Sequence, residues 1–174
     1  MSSQPIVQAS QDPAFTSLIA PDPRFETRQV RSNGHRSLHA REAFRSGQIL
    51  AEFTQSLPGQ EPSYLTVQVG EFEHIRLIPA HLELINHSCE PNVFFDVETS
   101  QIQALKDIAP GEELLFFYPS TEWQMTQPFR CHCGSETCLE VIQGAAYLSE
   151  DILLRHNLNA HIRELVRQAS IVPA

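Results

Sequence analysis

Leu84-Ile85-Asn86-His87-Ser88-Cys89-Glu90-Pro91-Asn92 packs a dense run of polar side chains between two apolar stretches. Cys89 is one of four cysteines, and the other three, Cys131, Cys133 and Cys138, fall within eight residues spaced C-x-C-x4-C. In a reducing compartment such a cluster points to a metal site rather than a disulfide framework. Three thiolates fill three corners of a tetrahedral zinc site, and Gly134 lets the backbone turn its N–H groups toward sulfur. The fourth ligand is Cys89, His132 or another group. His132 lies between two cysteines, where its geometry is poor, whereas Cys89 accounts for every thiol in the chain. A histidine two residues before a cysteine also invites a nucleophile reading, with His87 as base to Cys89. That role competes with zinc, because a metal-held thiolate is a poor free nucleophile, and no orienting third group is evident.

The surrounding chain sets the limits. Its 174 residues suffice for one domain with short appendages, and 41% hydrophobic against 19% charged residues is a globular balance. Acids outnumber bases by 21 to 12, for a formal charge of −9, which opposes phosphate neutralisation on nucleic acid and suits a basic partner. No apolar run reaches the roughly 18 residues of a membrane span. The stretch MSSQPIVQASQDPAF lacks the basic flank and apolar core of a signal peptide, so an intracellular place, nucleus or cytoplasm, is expected.

Pro5, Pro13, Pro21 and Pro23 mark residues 1–25 as an irregular arm. From Thr27 to Tyr118 short strands are expected, at 47–53, 64–69, 74–78, 93–97, 101–105 and 114–118, with a hairpin turn at 98–100. Ser149 can cap a helix, with Glu150 and Asp151 in its first turn. Ile152, Leu158, Ile162, Leu165, Val166 and Ala169 continue it at roughly helical spacing, although Asn157 and Asn159 can break it into two. The fold class is mainly β with a helical C-terminal tail.

Three segments together resemble the SET-domain protein lysine methyltransferases. Asn86 to Asn92 is similar to that family's NHSCxPN signature, and Gly111-Glu112-Glu113-Leu114 through Tyr118 to its GEEL-x-x-x-Y segment. The C-x-C-x4-C from Cys131 is similar to its post-SET zinc motif, and all three stand in the family's order. The resemblance covers roughly residues 27–143. It implies several small β-sheets around a knot-like core, with a SET-like domain at 26–120, a zinc-bound post-SET loop at 127–143 and a helical segment at 149–170. It also implies zinc on Cys89, Cys131, Cys133 and Cys138, and S-adenosyl-L-methionine as the methyl donor.

By the same resemblance Tyr118 is the catalytic tyrosine and also touches the cofactor. Asn86 and His87 grip the cofactor, through the asparagine side chain and through backbone contacts. Phe53 and Phe116 line the substrate channel, and Phe116 stands where the family carries either Phe or Tyr. Phenylalanine there leaves room for more than one methyl. The implied activity is methyl transfer to a lysine of a basic protein or peptide, possibly a histone tail, by a monomer that binds neither nucleic acid nor membrane.

The chain departs from the family in places. Where the family's cofactor loop usually reads G-x-G, this chain has His35-Arg36-Ser37, and a one-residue shift would let Gly34 supply the turn. Phe117 replaces the usual acid before the tyrosine, and Leu139-Glu140 replaces the Arg-Gly after the last cysteine. Trp123 is expected to wall the pocket or to lie in the core. The alternative function is a divergent SET scaffold that no longer methylates protein, acting as a binding module or on a small molecule.

Overall fold

The structure, a computed structural model, describes residues 14–55 and 61–171. Residues 1–13 of the expected arm therefore lie outside the described residues. The rest of that arm is not all irregular. Phe15–Ile19 form β1, which pairs antiparallel with β2 (Phe25–Val30), and β2 pairs with β3 (Arg36–Ala40). Prolines flank β1 but none falls within it, so its backbone donors stay free for the ladder. Gly34 closes the β2–β3 turn at φ 71°, and its N–H donates to the Val30 carbonyl at 2.8 Å. Glycine thus supplies the left-handed residue one place before His35, as the shift requires.

A second sheet runs in the order β4 (Ile49–Glu52), β10 (Gln101–Ala104), β9 (Val93–Asp96). The β9–β10 hairpin turns where expected. Asp96 Oδ1 accepts the N–H groups of Glu98 and Thr99, an Asx turn that ends the strand. A third sheet has the order β5 (Thr54–Gln55), β7 (His74–Ile78), β6 (Thr66–Gln68).

The pairing that positions the site is short and parallel: β8 (Asn86–His87) lies beside β11 (Leu115–Phe116). The signature segment extends it. Ser88 N–H donates to the Phe116 carbonyl and Asn92 N–H to the Leu115 carbonyl, both at 3.0 Å. The Asn92 side chain accepts the Leu115 N–H and donates to the Glu113 carbonyl, both at 2.8 Å. The long connection that a parallel pair needs is supplied by 88–114, which contains the β9–β10 hairpin. Strand character ends at Phe116, earlier than expected. Tyr118 opens a 3₁₀ turn with Pro119, which has no N–H to offer a ladder.

Phe25, Leu38, Phe44, Leu50, Phe95 and Ile102 are buried in the main core, where Phe25 and Phe44 stack at 5.7 Å. A smaller core gathers Cys89, Cys131 and Ile142 beneath the hairpin of β12 (Phe129–Arg130) and β13 (Val141–Ile142). The helical tail is two helices, α1 (Glu150–Leu153) and α2 (Ala160–Ile171). Ser149 stands at the N-cap of α1, but its hydroxyl makes no capping bond. The break falls at Asn159, whose buried amide accepts the Val97 N–H and donates to the Phe95 and Ser120 carbonyls. Trp123, half-buried, packs against the cluster of Ala145, Leu153 and Ile162 and is not on the cavity wall.

Gly144 fixes how closely that third cluster approaches. It adopts φ 113°, and a Cβ on it would lie 2.4 Å from the Trp123 carbonyl oxygen. Gly144→Ala is therefore expected to destabilise the fold by about 2 kcal/mol or more, read as a lower Tm and an earlier urea midpoint. An unchanged midpoint would mean that the Trp123–Gly144 approach is not required.

Candidate functional site

The β8–β11 pair faces a cavity of about 780 Å³, within the size range of small-molecule sites. His35 and Arg36 from the β2–β3 turn wall one side, and Asn86 and His87 stand on β8. Phe116 and Tyr118 follow from β11, and residues 125–133 cover another side. Asn86, His87, Phe116 and Tyr118 are thus brought together as the sequence indicates.

Asn86 ties the turn to the strand. Its amide nitrogen lies 2.9 Å from the Arg36 carbonyl, 2.9 Å from Glu113 Oε1 and 3.2 Å from His35 Nε2. Two amide hydrogens serve three acceptors, so the turn is pinned although its usual glycines are absent. Ser37 is not on the cavity wall. It is buried in β3, with Oγ 2.9 Å from His39 Nε2, while His39 Nδ1 reaches the Gly111 carbonyl at 3.0 Å. The carbonyl can only accept, so Nδ1 carries the proton and Nε2 accepts from the Ser37 hydroxyl. Ser37 braces the loop from behind. Phe53 is also absent from the wall. Its ring lies 5.9 Å from that of Phe95, which itself packs on Phe116 at 4.4 Å.

Both nitrogens of the His87 ring are engaged. Nδ1 accepts the Tyr118 backbone N–H at 3.2 Å, so the ring proton is on Nε2, 3.4 Å from Cys89 Sγ. Burial, aided by nearby His156, pushes the His87 pKa down to about 4, which keeps the ring neutral. A ring that already holds its proton toward Cys89 cannot serve as base to that thiol. The nucleophile reading fails, and only the backbone of His87 is left to meet a cofactor.

The four cysteine sulfurs lie within 4.8 Å of one another. Tetrahedral zinc with bonds of about 2.3 Å places its sulfurs about 3.8 Å apart, so the cluster suits it. His132 is outside this group, and Cys89 is its fourth member. Burial and neighbouring thiols push Cys89 well above the usual thiol range and Cys131 up to about 11. At Cys133 burial acts the same way, but the Ser135 N–H and the adjacent thiols outweigh it and leave about 6. Leu139 N–H donates to Cys89 Sγ at 3.3 Å and His87 Nε2–H points at the same atom, which is the outer support a metal thiolate takes.

Tyr118 stands on the cavity wall with its hydroxyl 3.4 Å from the Ile85 carbonyl, to which it donates. Burial, then the Glu122 and Glu113 carboxylates, raise its pKa well above the ordinary value, so it stays a neutral hydroxyl. The Phe116 ring is 4.6 Å away and the Phe129 ring 5.9 Å. Sequence reasoning passed over Phe129, Val67 and Glu122, which also line the cavity. Only Phe129 carried a signal, its place two residues before Cys131.

The SET domain family matches residues 35–119 of this chain. Methyltransferase flvH of Aspergillus flavus is 38% identical over 135 residues, spanning 75% of each chain. Histone-lysine N-methyltransferase SET5 of Vanderwaltozyma polyspora is 36% identical over 72 residues, 34% of this chain and 14% of that one. The methyltransferase domain of human histone-lysine N-methyltransferase SETMAR superposes with a TM-score of 0.48 at 19% identity, over 67% of this chain and 56% of that one.

The purified chain is expected to carry a single zinc by elemental analysis. Chelation should lower Tm and speed amide exchange across 129–143 together. Four thiols that react freely with a thiol reagent in the native, untreated protein would contradict the zinc site.

Proposed function

This chain belongs to the SET-domain family of methyltransferases, and we propose that it moves a methyl group from S-adenosyl-L-methionine to the side-chain amine of a lysine in a basic protein or peptide. The observation that carries this reading is the place of the Tyr118 hydroxyl, on the wall of a cavity polar at His35, Arg36 and Asn86 and aromatic at Phe95 and Phe116. The polar part suits the nucleoside and amino-acid groups of the cofactor. The aromatic part suits the alkyl stem of a lysine. When bound, the cofactor supplies a methyl group on a positive sulfonium, from which the neutral thioether departs.

The chain's own residues handle the amine. A lysine ammonium has a pKa of about 10.4, and apolar burial beside a positive sulfonium lowers it. The Tyr118 hydroxyl, held neutral with its proton on the Ile85 carbonyl, and that carbonyl offer two acceptor oxygens for the amine N–H groups, which leaves the nitrogen lone pair free to face the methyl group. The remaining contribution is positioning. Asn86 fixes the 35–36 turn, and His87 fixes the backbone of Tyr118. Zinc takes no part in the transfer; its ligands hold 129–133 over the cavity. With Phe116 in place of a tyrosine beside Tyr118, no second hydroxyl restrains the amine, and more than one methyl fits this reading. The net charge of −9 favours a basic substrate. A small-molecule amine is the second reading, favoured by the long match to methyltransferase flvH, which is named for no protein substrate.

Tyr118→Phe should cut turnover by roughly 100-fold while cofactor affinity, measured by calorimetry, stays within about twofold. Near-normal turnover would remove Tyr118 from the mechanism. Phe116→Tyr is expected to shift products toward a single methyl by mass spectrometry, and an unchanged product ladder would overturn that assignment. Turnover on lysine peptides, against turnover only on free amines, separates the two substrate classes.

A further inference from the structure

Four residues beyond Tyr118, Glu122 places a carboxylate on the wall of the same cavity, with its side chain only 12% exposed. One of its oxygens is occupied. Oε1 accepts the Gln68 backbone N–H at 2.8 Å and the Thr121 hydroxyl at 3.3 Å. The other, Oε2, receives no hydrogen bond among the described residues, and the one ion-pair contact of Glu122 there is His74 Nε2 at 3.7 Å. His74 is itself buried, and neither of its ring nitrogens has a hydrogen-bond partner among the described residues.

The surroundings hold this carboxylate in place. Gln68 is buried, accepts the Trp123 N–H at 2.8 Å through its side-chain oxygen, and gives its amide hydrogens to the Gly70 and Glu71 carbonyls. Residues 122 and 123 are thereby locked to β6. A buried carboxylate with one oxygen that takes no hydrogen bond, its nearest charged group an imidazole at 3.7 Å, is stabilised when a cation arrives to pair with it. The other two carboxylates on the wall are engaged, Glu83 by Arg76 and Glu113 by the Asn86 amide, so Glu122 Oε2 is the acidic oxygen suited to a compact positive group on an apolar stem.

We propose that Glu122 Oε2 is the subsite that receives the lysine ammonium as the side chain enters, before its proton is lost. This assignment rests on the reading of the cavity as an amine-methylating site. It separates two tasks: Glu122 captures the charged amine, and Tyr118 with the aromatic wall orients the neutral one. His74, whose Nε2 is 3.7 Å from the same oxygen, is not on the cavity wall.

The test uses the full zinc-loaded chain and two probes of equal length, n-butylammonium chloride and n-butanol, titrated while the cavity aromatics are followed by NMR. The native chain should prefer the ammonium by at least about tenfold, and Glu122→Gln should abolish that preference. Gln keeps an oxygen for the Gln68 N–H, so unchanged n-butanol binding by the variant shows that the cavity remains folded. Glu122→Asp should retain part of the preference. Equal binding of the two probes by the native chain, a preference that survives in Glu122→Gln, or no binding of either probe would overturn the subsite. None of these results depends on turnover, so methyl transfer and its Tyr118 assignment stand or fall separately.

Discussion

The neutral imidazole of His87 is the interaction on which the rest of the site depends. It accepts a hydrogen bond from the Tyr118 backbone and presents its other N–H to Cys89 Sγ, joining the tyrosine wall to the cysteine cluster through one ring. Neutrality is the constraint, since a protonated ring would have no acceptor for the Tyr118 N–H. Burial enforces it, and aromatic rings pack round it: Phe117 at 5.9 Å, Tyr118 at 5.2 Å and Phe129 at 5.8 Å. Cys89 is thus a member of the four-cysteine cluster and a fixed point for the histidine two residues before it.

That ring can do this because β8 and β11 lie parallel. A two-residue ladder is weak alone, but Ser88 and Asn92 extend it with backbone and side-chain bonds to 113–116. Each such bond is worth about 1 kcal/mol net, and more when its loss would strand a buried partner. The two signature segments are therefore one structural unit. The cysteine cluster, whose four sulfurs suit zinc, is a second closure: 131–138 returns to Cys89 and 129–133 lies along the cavity.

The cysteine cluster was legible in the sequence because four thiols in one chain can be counted and have few partners other than each other. Tyr118 was legible only through the resemblance of 111–118 to the family segment, since an apolar run by itself indicates no more than burial. What was misread depended on direction. Phe53 and Phe116 are both phenylalanines in β-rich stretches, yet Phe53 lies behind Phe95 and only Phe116 reaches the cavity. Ser37 falls one residue past the turn, where the strand buries its side chain. The sequence left Trp123 open between pocket wall and core; it packs half-buried on a cluster of its own, and Gly144 admits its carbonyl, a contact between residues 21 apart that no local pattern reports. The tail divides at Asn159 because the gain there is tertiary, three hydrogen bonds to distant backbone. Glu122 had no motif at all; only the fold places it beside Tyr118.

Gly34 and Asn86 hold the 35–36 turn without the family's usual glycines, and the proposed methyl transfer requires that this turn bind the cofactor. Calorimetric titration of the zinc-loaded chain with S-adenosyl-L-methionine tests it most directly. Saturable binding at micromolar cofactor, weakened by Asn86→Ala, is the result the geometry predicts. No heat of binding at millimolar cofactor would contradict it, because the proposed reaction has no other source of the methyl group.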